Sequence, residues 1–315
     1  MTDQNLYANP RGVAVIGDPG RASFEIPEGL PPCELWPPDI AASEYAIEEM
    51  KIRAASVRGV QHRYSPGAAP RQDSYGIGAN ADNGILVAMV CDGVGSLDYS
   101  HEAANHVCQS LPWRIVAGED WQTAVADVNE ELMELDRSKT TTRLGNNATM
   151  ATTMVAATIR RESQTYGIHL SWIGDSEAWN LDDKGVWTKL APAEVNNSDT
   201  GITTGRTKAL PADAPVVNEF DFTMMSGTIF LMSDGVGTPL AMNTEVQTTL
   251  ANWWKNPPDP FTFARQVAFA RKSFVDDRTV IGIWLEPMNG GEPEQATDGE
   301  ERQTTDLEES DIQHD

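Results

Sequence analysis

The sequence predicts an α+β fold: two packed antiparallel β-sheets in a sandwich, flanked by helices. The first observation is that apolar runs of strand length outnumber helical patterns. They are "NGILVAMVC", "ATTMVAATI", "GIHLSWIG", "GTIFLMS" and "TVIGIWL", several of them rich in β-branched or aromatic residues. The second is that the helical patterns do not alternate with these runs, as a doubly wound parallel sheet would require, so sheet must pack on sheet with helices outside. The third is a phrase written twice: "ILVAMVCDGVGSL" at 85–97 and "TIFLMSDGVGTPL" at 228–240. Each is an apolar run that stops at Asp-Gly.

Residues 1–50 read as a loop-rich extension, with "GDPG" and "PEGLPPCELWPPD" as breakers. A short helix over "ASEYAIEEMKIRAAS" is expected to close it. The folded domain is assigned to 51–286. Within it, Ala103, Ala104, Val107, Cys108 and Leu111 have helical spacing. Trp121, Ala124, Val125, Val128, Leu132 and Leu135 form one stripe over "DWQTAVADVNEELMELDRS". A third helix is expected over "PFTFARQVAFARKSF", with Pro260 near its start. Trp253 and Trp254 are assigned to packing. The tail, 287–315, is Gly-, Glu- and Thr-rich and reads as disordered.

The net charge is −24, and residues 286–315 carry 11 acids against the single base Arg302. Such a balance disfavours a nucleic-acid partner, which needs basic stripes. No run approaches the ~20 apolar residues that span a bilayer, and the N-terminus shows no basic start or apolar core of a secretory signal. Three cysteines, Cys33, Cys91 and Cys108, lack metal-knuckle spacing and read as reduced thiols of a cytoplasmic protein.

An Asp-Gly after a strand is by itself usually a turn. Here, however, more acids abut buried-looking strands: Asp73 in "RQDSYGIG", Asp175 in "LSWIGDSEAW", and Asp276 and Asp277 in "FVDDRTVIGIW". If several converged, each pair ~4 Å apart would repel by about 4 kcal/mol at an effective dielectric near 20. These phrases hold no lysine or arginine cluster to offset that. A pair of hard divalent cations would, since carboxylates, carbonyls and waters are the ligands of Mg²⁺ and Mn²⁺. The glycine after Asp92 would then let its carbonyl approach an ion closely.

The order "RQDS", "CDGVGS", the Thr-rich "ATTMVAATI", "IGDSEAW", "SDGVGTPL" and "DDRTVIGI" resembles the metal-dependent type 2C protein serine/threonine phosphatases of bacterial type. The resemblance runs from about residue 56 to Leu285. It implies the same sandwich, and hydrolysis of phosphoserine and phosphothreonine by in-line attack of a hydroxide shared between two Mn²⁺ or Mg²⁺ ions. It implies phosphorylated protein substrates and a cognate serine/threonine kinase. By motif position, Asp92 resembles the carboxylate bridging both metals, and Gly93 gives a carbonyl to one. Asp234 and Asp276 resemble the other metal's remaining ligands, Asp73 the acid holding metal-bound waters, and Asp175 a ligand of a third, weaker ion. Asp73, Asp92, Asp234 and Asp276 form the expected catalytic set. Asp277 stands where the family often has asparagine and is read as support. The segment 191–215 falls where the family inserts a flap beside the site.

Three positions depart from the family. Val94 replaces the histidine that many eukaryotic members have after Asp-Gly, and Gln72 replaces a glutamate ligand. The arginine for phosphate falls at His62, with Arg63 beside it, and these two are the candidate phosphate contacts. Gln72 and Val94 give footing to an alternative, a pseudophosphatase that binds phosphoproteins without turnover. "CQSLPWR" has the Cys-x5-Arg spacing of thiolate phosphatases through Cys108 and Arg114. It lacks the glycine-rich anion cradle, and Cys108 falls on a helix stripe, so a packed thiol is expected.

Overall fold

In the computed structural model, which describes residues 9–20, 22–24, 36–64, 69–140, 148–191 and 208–288, the stretch expected as a closing helix is a β-hairpin. Strand β1 (Ile40–Ile47) pairs antiparallel with β2 (Met50–Val57) across a turn in which Glu48 takes φ 51°. Burial overrides helix propensity here. Met50, Ile52 and Ala54 are buried in the core between the sheets, while Ala55 and Val57 are buried against helices on the opposite face. A strand buried on both faces is stabilised by packing that Glu- and Ala-rich local preference cannot match.

The chain then runs through α1 (Val60–Tyr64), β3 (Ser74–Asn80), β4 (Ile85–Cys91), α2 (Ser100–Val116) and α3 (Trp121–Thr140). Next come β5 (Met154–Arg161), β6 (Tyr166–Ile173), β7 (Glu177–Leu181), β8 (Trp187–Ala191), β9 (Asn218–Met224) and β10 (Gly227–Met232). The last elements are α4 (Asp234–Met242), α5 (Thr244–Trp254), α6 (Pro260–Val267) and β11 (Arg278–Leu285). One sheet has the order β1-β2-β11-β10-β7-β8 and the other β3-β4-β5-β6-β9. The strand pairs within both are antiparallel.

Three apolar layers hold the sandwich together. Between the sheets lie Met50, Ile52, Leu86, Ala88, Val90, Ile229, Leu231, Ile281 and Ile283. The α2 and α3 stripes bury Val107, Cys108, Leu111, Val125, Val128 and Leu132 against β4 and β5. On the other side α4, α5 and α6 cover the six-stranded sheet around Phe230, Trp254, Phe263 and Trp284. Each fully buried Val, Leu, Ile, Phe or Met among them contributes about 1.5–3 kcal/mol. Trp254 is wholly a packing residue, stacked on Phe230 and donating its indole N–H to Gln266.

Helix α6 is shorter than expected because Ala268–Ala270 turn away to meet the N-terminal segment. Val15 bridges Ala270, Ala14 donates to the Arg265 carbonyl and accepts from Ala270, and Val13, Ala14 and Ile16 are buried in the helix-side core. The extension therefore docks on the folded body through residues 13–16. The tail from residue 289, and residues 192–207 of the expected flap, lie outside the described residues. Among the described residues no helix is long and apolar enough to cross a membrane.

Candidate active site

Antiparallel register carries the acids to one end of the sandwich. Ser74 pairs with Cys91, so the next residues outward, Asp73 before β3 and Asp92 after β4, face each other. Met232 pairs with Val280, and the Ser233 N–H donates to the Thr279 carbonyl, which sets Asp234 beside the Asp276–Asp277 approach to β11. Asp175 follows β6 and is exposed at the rim. Each sheet thus contributes acids to a common edge.

The two Asp-Gly turns answer to the same packing need. A Cβ on Gly93 would lie 2.8 Å from the Gln72 carbonyl oxygen, and one on Gly235 would lie 1.9 Å from the Asp277 carbonyl oxygen. Both glycines let an acid-bearing turn sit directly on the backbone leading to another acid. Gly59 does the same from a third segment, where a Cβ would stand 2.2 Å from the Asp276 carbonyl carbon. At Gly93 this is tight backbone packing in addition to the freedom of its carbonyl expected from the sequence.

The electrostatics are those of a crowded set of carboxylates. Burial is the largest cause that pushes Asp92 well above the usual carboxylate range, followed by the charges of Asp73, Asp234, Asp276 and Asp175. Burial and the Asp277 charge do the same to Asp73. Asp234 rises to about 6 through burial and the charges of Asp276 and Asp175, while contact with the Asp92 carboxyl holds it lower. Asp276 is likewise raised, chiefly by burial. Glu177, which the sequence reading passed over although it stands two residues after Asp175, also faces Asp234.

Asp277 is the hub beneath these groups. It is 2 % exposed; its Oδ1 accepts from Gly59 N at 2.6 Å and its Oδ2 from Gln72 N at 2.6 Å. His62 Nδ1 stands 2.9 Å from Oδ2, close enough for ion pairing although off the hydrogen-bonding direction. Burial opposes protonation of His62, but the close contact and charge of Asp277, with the charges of Asp276 and Asp73, raise its pKa overall.

His62 and Arg63 are neighbours that face different surroundings. His62 joins Asp276 and Asp277 in a group whose ligand atoms lie within 4.8 Å of one another. Arg63 is set instead among Arg11, Tyr64, Asp39 and Arg58 and lines a separate cavity. The structure therefore does not bring Arg63 to the acids. The acid-bearing phrases hold no lysine or arginine cluster, but two single arginines attend the acids: Arg71 feels the charges of Asp73 and Asp277, and Arg278 those of Asp276 and Asp277. Both are buried and stand beside those acids in sequence, Arg71 two residues before Asp73 and Arg278 directly after Asp277.

The remaining donor set suits divalent cations. Asp73 Oδ2 is buried without a protein partner, although Ser233 and Thr279 satisfy part of that carboxyl. Val94 N donates to Ala151 O, and Asp92 O accepts from Thr153 N, so the Gly93 carbonyl between them points to the opposite side of the strand. Asp92 in contact with Asp234, further carboxyls within electrostatic reach, the Gly93 carbonyl and an orphaned carboxylate oxygen are hard-oxygen donors of the kind Mg²⁺ or Mn²⁺ takes, while among the described residues the one set of three ligand atoms within 4.8 Å of one another is that of His62, Asp276 and Asp277.

The cysteines are not part of this chemistry. Cys91 and Cys108 are buried free thiols, and burial pushes Cys91 well up, away from the thiolate form. Cys33 lies outside the described residues.

A protein-family model described as protein phosphatase 2C matches residues 58–267. A solved bacterial serine phosphatase aligns with a TM-score of 0.54 at 19% identity, covering 76% of this chain and 99% of that one. The serine/threonine phosphatase of S. agalactiae gives 0.52 at 17%, covering 75% and 100%, and Stp1 from Staphylococcus aureus gives 0.50 at 16%, covering 77% and 96%. A search of curated proteins finds no match. The fold and the family match define a phosphoprotein phosphatase of the Mg²⁺/Mn²⁺-dependent kind. The chain belongs to the protein phosphatase 2C family.

Proposed function

We propose that this chain turns over phosphoserine and phosphothreonine in proteins at the carboxylate cluster, using Asp92, Asp234 and Asp276 with the Gly93 carbonyl to hold two divalent cations. The observation that carries the reading is the mutual electrostatic contact of Asp73, Asp92, Asp175, Asp234 and Asp276, brought from distant segments to one place. When bound, such a pair of cations supplies an acidified water as nucleophile and draws charge from the phosphoryl oxygens. Asp92, in contact with Asp234 and near Asp73, would be the carboxylate shared in holding the cations. Asp73 Oδ2 would accept from water in the site, and Asp175 at the rim would serve a third, weaker ion. Asp277 is a positioning residue: it holds the 59 and 72 backbones and orients His62. The phosphate role of the 62–63 pair passes to His62, which alone faces the acids.

The expected substrates are phosphoproteins made by a cognate serine/threonine kinase. The pseudophosphatase alternative rests on Gln72, whose side-chain amide is tied to the Leu97 carbonyl rather than adding a charge to the acids, and on Val94. Hydrolysis of p-nitrophenyl phosphate with Mn²⁺, Mg²⁺ or EDTA separates the two. Turnover with metal and none with chelator supports the enzyme, and silence with every metal in a folded protein supports the binding module. Asp92→Asn is expected to lower the metal-dependent rate by roughly 100-fold or more.

A further inference from the structure

Four arginines converge on one cavity of an acidic protein. Arg11, Arg58, Arg63 and Arg278 line a space of about 330 Å³ including its mouth, with Gly59 and Ser23 in the wall. Arg11 and Ser23 come from the N-terminal segment, Arg58 and Arg63 flank the start and body of α1, and Arg278 opens β11. The docked extension is therefore part of the site and closes one side of it.

The cations here are only partly matched by protein anions, since Asp39 serves Arg58 and Arg11, and Asp276 and Asp277 reach Arg278 alone among the four. Asp39 pairs with Arg58 at 3.1 Å, and the second Arg58 terminal nitrogen donates to the His62 carbonyl. Arg278 donates to the Gly235 and Phe274 carbonyls and lies over the Phe269 ring. Arg63 is 6 % exposed, its Nε is buried without a partner, and its guanidinium makes no hydrogen bond or ion pair with the described residues. Arg58 Nε is buried and unpartnered too. A buried guanidinium stays charged at neutral pH, and unpaired buried charge is costly. Guanidinium forks with free N–H groups aimed into one concavity are what phosphate-class anions use.

We propose that this cavity binds a tetrahedral oxyanion of the phosphate class, held by Arg11 and Arg63 with Arg58 and Arg278 behind them. The inner part leaves about 20 Å³ for the centre of a water-sized body, the scale of one small ion rather than a nucleotide. The site is distinct from the carboxylate cluster yet shares a wall with it. Gly59 lines the cavity and donates to Asp277, while Arg278 lines it and holds the carbonyl of Gly235, next to Asp234. This inference does not rest on turnover at the acids.

The test is thermal unfolding of the full chain in EDTA, which empties the carboxylate cluster of metal, titrated with inorganic phosphate against chloride at matched ionic strength. Phosphate is expected to raise the wild-type midpoint by roughly 5–10 °C at a hundredfold excess over Kd. Arg63→Gln and Arg11→Gln are each expected to abolish most of that shift, with Arg11→Gln leaving metal-dependent hydrolysis unchanged. Should Arg63→Gln fail to fold, the half-buried Arg11 still decides the matter. A phosphoserine peptide in a parallel arm identifies the source: stabilisation by free phosphate alone assigns the site to the product ion, and stabilisation by both assigns it to the phosphoryl group generally. No shift in wild type, or equal shifts in wild type and both variants, overturns the proposal.

Discussion

Gly235 rests on the carbonyl of Asp277 so closely that a Cβ there would stand 1.9 Å from its oxygen. Backbone cannot yield as a side-chain tip does, so Gly235→Ala must move either the start of α4 or the approach to β11. We expect it to cost about 1–3 kcal/mol, the range for overpacking, and to weaken Mn²⁺ binding because Asp234 and Asp276 are displaced relative to each other. Urea unfolding and a Mn²⁺ titration check this. Gly59→Ala, with 2.2 Å to the Asp276 backbone, should behave alike. Variants that fold with wild-type stability and metal affinity would show that neither close approach matters.

Asp277→Asn preserves volume and removes function as a double acceptor. Both carboxylate oxygens now accept from backbone N–H groups, of Gly59 and Gln72. In the variant one of those N–H groups must face an amide NH₂, donor against donor, in a site 2 % exposed. Charge-assisted bonds lost in burial are worth about 1.5–3 kcal/mol each. The expected result is destabilisation of about 3 kcal/mol by denaturant unfolding, with activity lost through misplacement of Asp73 and His62. Destabilisation below 1 kcal/mol would mean that the hub is dispensable.

Cys108→Ser separates the metal reading from thiolate chemistry. Cys108 lies inside α2, and its carbonyl is where a Cβ on Gly76 would collide, at 2.1 Å. Cys108 is 4 % exposed, and its side chain packs in the α2–α3 layer. The variant is expected to keep metal-dependent hydrolysis while losing about 1–2 kcal/mol for a buried hydroxyl. A folded variant with no activity would reverse the assignment.

The acid cluster was legible because its members sit where strands end, and a strand end is readable from an apolar run that stops at a charge. The helices α2 and α3 were legible from their stripes. The β1–β2 hairpin was not, because Ala, Glu and Met in "ASEYAIEEMKIRAAS" favour helix, and only pairing of β2 with β11, more than 200 residues away, decides otherwise. The same distance hid the contact of His62 with Asp277, and the arginines of the cavity come from three separate segments. Such relations depend on register and layer packing, which local pattern does not encode.

Metal and pH act on the same groups. Asp234 stays protonated up to about 6 in the folded chain, against an ordinary 3.8. Between these values the unfolded chain releases a proton that the folded chain keeps, so metal-free stability falls as pH rises through that window. For Asp234 alone the loss is about 2–3 kcal/mol, and Asp73, Asp92 and Asp276 act in the same direction. His62 adds to it: its raised pKa gives stability that is full below 6.5 and fades as pH rises through the folded value. A divalent cation binds the ionised carboxylates, so its stabilisation should grow over the same range. Calorimetry in EDTA should therefore show a higher midpoint near pH 5 than near pH 8, and saturating Mn²⁺ should reverse that order. Asp92→Asn removes one of the repelling charges, so near pH 8 its metal-free form should melt above metal-free wild type while gaining less from Mn²⁺. A metal-free midpoint that rises from pH 5 to 8, or equal Mn²⁺ gains in both proteins, would show that these carboxylates do not share one ionic site.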